Sequence, residues 1–177
     1  MVDETREYVS NGKGIARMLV DQGVTHVFGI PDGHTLELYD GFLETSDVDH
    51  LLVNDERTAA FAADAYARVT GHLGACDAGA AGAMNFPVAL AEALGSSSPV
   101  LAITGIVKQR DMLLNIPHDI NVLGVLQAVT KWAGMPITGE QVPRFFHHAI
   151  RQAINGRQGP VAVIVPEDLF YHDKNLS

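Results

Sequence analysis

Apolar positions along this chain alternate between a helical rhythm and short uninterrupted runs, and the alternation persists from end to end. Asn11 stands where a helix cap belongs, Ile15, Met18 and Leu19 share one face, and Gly23 stops the run. Residues 25–30 form the first strand-like stretch, followed by a helix through Leu36, Leu38, Tyr39 and Phe42. A second strand over 50–53 leads into a long helix over 56–70 that Gly71 ends. The third strand covers 74–78. Pro87 then suits the first turn of a helix reaching Leu94, with Gly95 as its stop. Residues 100–106 are a continuous β-rich apolar run of the kind found in fully covered sheets. A helix over 121–129, a strand over 132–137, a helix over 140–154 and a last strand over 160–165 complete the pattern.

Six strands separated by helices predict an α/β fold, a doubly wound six-stranded parallel sheet flanked by helices, because parallel neighbours need crossover helices. Such sheets bind ligands beyond the carboxyl ends of their strands. Residues 29–33, Glu56, the 79–85 loop and Thr104-Gly105 all follow predicted strands directly, so the topology gathers them on one edge. No repeat, low-complexity tract or internal linker interrupts the pattern. The expected division is a tail over 1–11, a domain over 12–170 and a polar tail over 171–177 that frays or begins a linker.

Composition narrows the function classes. At 177 residues the chain has the size of one domain, with enough apolar content, 47%, to bury a substantial core. A formal net charge of −9 argues against nucleic acid or an anionic membrane as partner. No apolar run is long enough to span a bilayer, and the acidic start Met1–Arg6 lacks the apolar centre of a secretory signal. The single cysteine, Cys76, sits in an apolar strand and is expected as a small core residue; a reducing, cytoplasmic setting follows.

Glu56 stands out as a carboxylate at a strand-to-helix junction, ahead of an almost uncharged alanine-rich helix face. It has two readings: an acid that complements the positive end of the helix dipole, or a carboxyl that exchanges a proton with a ring nitrogen in a dry crevice. Asp55 beside it is expected to turn to solvent, since two inward acids would repel. Pro31-Asp32-Gly33 satisfies a simple turn and also fits a loop that reaches a ligand. His34, next along, can cap a helix or face the pocket. His118, in Ile116-Pro117-His118-Asp119, can cap the next helix or shuttle a proton. His147 and His148 fall on the outer face of their helix. Asn85 is expected to cap the helix that Pro87 begins.

Five segments occur in an order that carries a resemblance. They are Gly23–Gly33 with its Val-Phe-Gly-Ile-Pro core, Asp55–Ala60 running into Tyr66-Ala67-Arg68-Val69-Thr70-Gly71, Ala80–Asn85, Pro99–Gly105, and Val129–Trp132 together with Gly159–Asp168. Over roughly residues 12–168 the chain resembles the pyrimidine-binding domain of thiamine-diphosphate-dependent enzymes of the acetolactate synthase and 2-oxo acid decarboxylase superfamily. Two departures stand out: Ala80-Ala81-Gly82 replaces a usual Gly-Pro-Gly in a segment one residue shorter than common, and Asp55 replaces a frequent histidine.

The resemblance implies a thiamine-diphosphate-binding fold. It assigns Glu56 to the pyrimidine ring nitrogen N1′ and His118 to proton transfer as catalytic residues. Pro31, Asp32, Gly33, Glu56, Gly82 and Asn85 become the cofactor-binding set. It places the cofactor's diphosphate and its Mg2+ on a partner domain or subunit, since the Gly-Asp-Gly motif that holds them elsewhere in the superfamily is absent here. No metal is assigned to this chain, and no turnover is expected without the diphosphate-binding partner. The leading expectation is a split subunit, in a homo- or hetero-oligomer, of a 2-oxo acid decarboxylase of sulfopyruvate or phosphonopyruvate type. The alternatives are the N-terminal domain of an acetolactate-synthase-like carboligase and a non-catalytic binding module on the same fold. A nucleotide-binding Rossmann domain is disfavoured, because no Gly-x-Gly-x-x-Gly follows a strand.

Overall fold

A computed structural model describes residues 9–45 and 47–171. Six strands, β1 (His26–Gly29), β2 (Asp49–Leu52), β3 (Gly74–Gly79), β4 (Val100–Ile106), β5 (Trp132–Gly134) and β6 (Val161–Pro166), form one sheet. Their order is β2-β1-β3-β4-β6-β5 and every neighbouring pair is parallel, as the alternating pattern requires. The chain winds outward from β1 to β2, then returns to β3 and proceeds the other way. The point of reversal therefore lies between β1 and β3, the place beyond the strand ends where sheets of this kind bind ligands.

Among the described residues, eight helices accompany the sheet: α1 (Asn11–Asp21), α2 (Leu36–Glu44), α3 (Glu56–Thr70), α4 (Ala80–Ala83), α5 (Pro87–Gly95), α6 (Val122–Gln127), α7 (Val142–Ile154) and α8 (Glu167–Phe170). Strand residues alternate between the two faces, as the pleat dictates. Leu101, Ile103, Val161 and Val163 meet Ile15, Leu19, Leu38, Phe146 and Ile150 from α1, α2 and α7. Val100, Ala102, Ala162 and Ile164 meet α3, α5 and α6, where Ala59, Ala60, Ala63, Ala89 and Ala93 dominate. Small side chains on this second face let α3 lie close to the sheet, which sets the height of Glu56 at its first turn. Within the described residues no helix is long and apolar enough to cross a membrane.

Local chemistry explains most boundaries. Asp55 caps α3 by accepting from the Arg57 amide at 2.8 Å, and Gly71, at φ 75°, closes it in the left-handed conformation. Asn121 caps α6 by accepting from Gly124 at 3.0 Å. Pro87 occupies the first turn of α5 as expected. Three expectations shift. Ser10, not Asn11, caps α1, because a hydroxyl one residue earlier already accepts from Lys13. Asn11 is buried instead and donates to the Leu169 and Gly139 carbonyls at 2.8 and 3.0 Å, tying α1 to the end of the fold. The strand expected over 132–137 stops at Gly134, since Pro136 offers no N–H to an edge strand. The helix expected from residue 140 starts at Val142, after a 3-10 turn over Gly139–Gln141. Of the expected tails, residues 1–8 and 172–177 lie outside the described residues.

Candidate active site

The parallel register brings Gly29 level with Leu52 and Asp77, and Gly79 level with Gly105. The segments that follow these residues therefore meet on one edge: the Ile30–Gly33 loop, the first turn of α3, the Gly79–Asn85 segment and the end of β4. Gly79–Asn85 is the shared wall, with one carboxylate resting on each end of it.

At one end stands Glu56, half-buried at the start of α3. Its Oε2 accepts a hydrogen bond from the Asn85 side-chain amide at 3.0 Å. Its Oε1 lies against Gly82, where an added Cβ would approach to 2.6 Å, so only glycine leaves room for the carboxyl in this position. Asn85 thus holds Glu56 rather than capping α5; it sits two residues ahead of Pro87, and no side chain caps that helix. Asp55 turns outward and pairs with Arg57 at 2.7 Å. That leaves Glu56 as the acid of this pair that faces the crevice wall.

At the other end stands Asp32, pressed against Gly79 where no Cβ would fit. Its Oδ1 accepts from the His34 backbone N–H at 2.9 Å and contacts His34 Nδ1 at 2.6 Å. Burial pushes the Asp32 carboxyl up, but the His34 amide and ring, with the charge of His118, more than offset it and leave it below the usual range. His118 comes from the loop after β4, and its ring centroid lies 4.8 Å from that of His34. Its backbone is left-handed at φ 69°, a conformation histidine visits more readily than most residues. Its Nδ1 is buried without a hydrogen-bond partner. The Gly105 position packs against Thr35 and the His34 carbonyl, fixing this cluster to β4.

A third group lies directly below the Ile30–Gly33 loop. Asp77, fully buried on β3, accepts from the Tyr39 hydroxyl and pairs with His50 Nε2 at 2.8 Å. Tyr39 also reaches the Ile30 carbonyl at 3.3 Å. Burial pushes the Asp77 carboxyl up, opposed by the His50 and Tyr39 hydrogen bonds. Burial and the nearby Asp77 charge push the Tyr39 hydroxyl up in turn. Sequence reasoning passed over this trio, although a signal existed: Asp77 is the one charged residue in a strand otherwise made of glycine, alanine and cysteine.

The expected site residues thus separate. Glu56, Gly82 and Asn85 come together, as do Asp32, His34 and His118. Pro31 and Gly33 are exposed on the loop, and nothing lies within 4 Å of a Cβ placed on Gly33. Cys76 is buried, with burial pushing its thiol up, which suits an inert core residue. His147 and His148 are exposed on α7, away from this edge.

An aminopyrimidine fits the Glu56 end on the chemistry of the donors. One carboxylate oxygen is held by the Asn85 amide, and the other fills the space that a side chain at residue 82 would take. Residues 10–129 match the family described as thiamine pyrophosphate enzyme, N-terminal TPP binding domain. The chain is 38% identical over 162 residues to the acetolactate synthase isozyme 2 large subunit of Escherichia coli (strain K12), covering 91% of this chain and 29% of that protein. It is 35% identical over 162 residues to a probable acetolactate synthase large subunit of Methanocaldococcus jannaschii, covering 91% of this chain and 27% of that one. Among solved structures it resembles a thiamine diphosphate-dependent 4-hydroxybenzoylformate decarboxylase of Rhodococcus jostii RHA1. The TM-score is 0.85 at 27% identity, over 92% of this chain and 31% of that one. The chain spans less than a third of the length of each of these relatives.

Proposed function

The chain belongs to the thiamine pyrophosphate enzyme family as its N-terminal binding domain, and from that premise we propose that it supplies the pyrimidine-binding half of an active site acting on a 2-oxo acid. The observation that carries the reading is the Glu56 carboxyl, anchored by Asn85 and laid over Gly82 at the sheet's reversal point. In that position Glu56 gives or takes a proton at the pyrimidine N1′. The cofactor, when bound, supplies stabilisation of negative charge at the substrate's carbonyl carbon.

Asp32, His34 and His118 stand on the opposite flank of the same wall. A carboxylate in contact with an imidazole, beside a second imidazole with a free buried nitrogen, can hold a proton and deliver it to a neighbouring carbon or oxygen. This group favours decarboxylation with proton delivery, of which the sulfopyruvate and phosphonopyruvate type is the specific form we expect. A carboligase of the acetolactate synthase kind is the second reading, favoured by the sequence relatives. The diphosphate and its Mg2+ belong, in this proposal, to a partner domain or subunit. Exposed Leu113, Leu114, Ile116 and Ile120, beside an apolar hollow of about 650 Å³ lined by Ile106, Met112, Leu123 and Met135, give such a partner an apolar face to cover.

The test is the enzyme assembled with its diphosphate-binding partner from the source cell, carrying Glu56→Gln. Turnover of a 2-oxo acid should fall by roughly 10²–10⁴-fold, the usual value of acid–base help, with the fold unchanged by circular dichroism. Full activity in that variant would sink the assignment.

A further inference from the structure

Among the described residues, one group of side chains has the makeup of a metal site, and it is not one that the thiamine reading calls for. Asp32, His34 and His118 each present one ligand atom, and these atoms lie within 4.8 Å of one another. The three residues come from two loops on the same edge of the sheet, and all are partly shielded from solvent. We propose that Asp32, His34 and His118 bind a late first-row divalent ion of the zinc or cobalt class, with coordination positions left open to the crevice.

The donor set argues for that class. Two imidazoles and one carboxylate suit zinc, cobalt, nickel or ferrous ion, whereas magnesium and calcium favour oxygen donors. Three protein ligands with an open position are also the pattern of reactive rather than structural sites. Donors on an ion with bonds of about 2.0–2.2 Å stand roughly 3.2–3.6 Å apart. The Asp32–His34 contact, at 2.6 Å, is shorter than that, and no two of the three donor atoms stand more than 4.8 Å apart. The three donors therefore stand close enough for one ion to reach all of them.

Two independent features support it. The buried His118 Nδ1 lacks any hydrogen-bond partner. A buried ring nitrogen without a partner is costly, and such a group calls for an occupant of its surroundings. The carboxylate, for its part, is held on the ligand side by a hydrogen bond from the His34 amide and by the wall at Gly79. Secondary contacts of this type hold ligands in orientation for an ion. An ion bound here would draw on the lone pairs that Asp32 and His118 need for proton handling. Zinc is then expected to inhibit the assembled enzyme.

The experiment takes the 177-residue chain, stripped with a chelator, and titrates it with cobalt(II) followed by zinc. One cobalt per chain should bind with visible absorption bands of nitrogen and oxygen ligation, zinc should displace it, and millimolar magnesium should not. His34→Ala and His118→Ala should each weaken zinc binding at least tenfold, while a His147→Ala/His148→Ala variant binds like the parent. X-ray absorption on the parent chain should count two imidazoles, which keeps the test independent of how the variants fold. No saturable binding, fewer than two imidazoles, or unaltered affinity in the folded His34 and His118 variants would overturn the site.

Discussion

Two carboxylate–imidazole pairs stand within the same crevice region, and they differ in almost everything except composition. Asp77 and His50 are 2.8 Å apart, sealed under a loop, with the Tyr39 hydroxyl closing the remaining approach. Asp32 and His34 are 2.6 Å apart, partly open, and face a third residue, His118, that completes no hydrogen bond through Nδ1. Burial raises the Asp77 carboxyl, while hydrogen bonds and nearby imidazole charge lower that of Asp32. The same two residue types thus form a sealed contact where solvent is excluded and a partly open one where an approach remains.

The sharpest way to break this comparison is to remove the sealed carboxylate. Asp77→Ala leaves the His50 ring without its acceptor and the Tyr39 hydroxyl with only the longer contact to the Ile30 carbonyl at 3.3 Å. At about 1–3 kcal/mol for each group that loses its acceptor, the variant should be less stable by about 2–6 kcal/mol in urea or thermal unfolding, toward the lower end where Tyr39 turns to the Ile30 carbonyl. Stability within about 0.5 kcal/mol of the parent would show that Asp77 is not a fastener. Tyr39→Phe is a smaller cut through the same group. It removes the bonds to Asp77 and Ile30 but keeps the ring packed on Phe42 and His50. A loss of about 1–2 kcal/mol is expected.

The open pair should behave otherwise. Asp32→Asn keeps the shape and the acceptor for the His34 amide, so stability near neutral pH should change by less than about 1 kcal/mol. Turnover of the assembled enzyme should nonetheless fall about 10²-fold if proton handling depends on this carboxylate. Gly82→Ala extends the contrast to the Glu56 end. The new methyl meets the tip of a flexible side chain rather than backbone, so Glu56 swings away and activity drops while the fold holds. Unchanged activity in Gly82→Ala would mean that the observed Glu56 position is not the working one.

The difference between the pairs also explains what the sequence could disclose. Asp32, His34 and His118 are legible because turn residues and loop positions after strands announce an exposed edge. Glu56 is legible because it opens a helix whose start and stop, Asp55 and Gly71, are written in capping chemistry. Asp77 is hidden because its partners are non-local: Tyr39 is on α2 and His50 on β2, and only strand register joins them. Asn85 misled for a related reason. Its local context suits a cap, but a carboxylate 29 positions away in sequence takes its amide. The element pattern transferred well where period and punctuation agreed, as in α3 and β4. It failed at α4 and α8, four-residue helices too short to show any period.

Acid titration gives the finest test of the contrast, because the two carboxyls shift in opposite directions. Asp32 has a lowered pKa in the folded chain, so its contribution to stability is present above the unfolded value of 3.8 and is lost as pH falls through the folded pKa below it. Asp77 has a raised pKa, so its contribution is fully present below 3.8 and is lost as pH rises through the folded value. Urea unfolding followed across the acid range should therefore give three distinct curves. Asp32→Asn should flatten the decline below pH 3.8, where the parent loses its ionised carboxylate. Asp77→Asn should instead alter the window above 3.8, removing a loss that the parent suffers there as the unfolded chain's carboxyl ionises while the buried one stays protonated. Curves that run parallel to the parent at all pH values would show that neither carboxyl is shifted. The open and sealed pairs would then be distinguished by access alone, with solvation playing no part in their protonation.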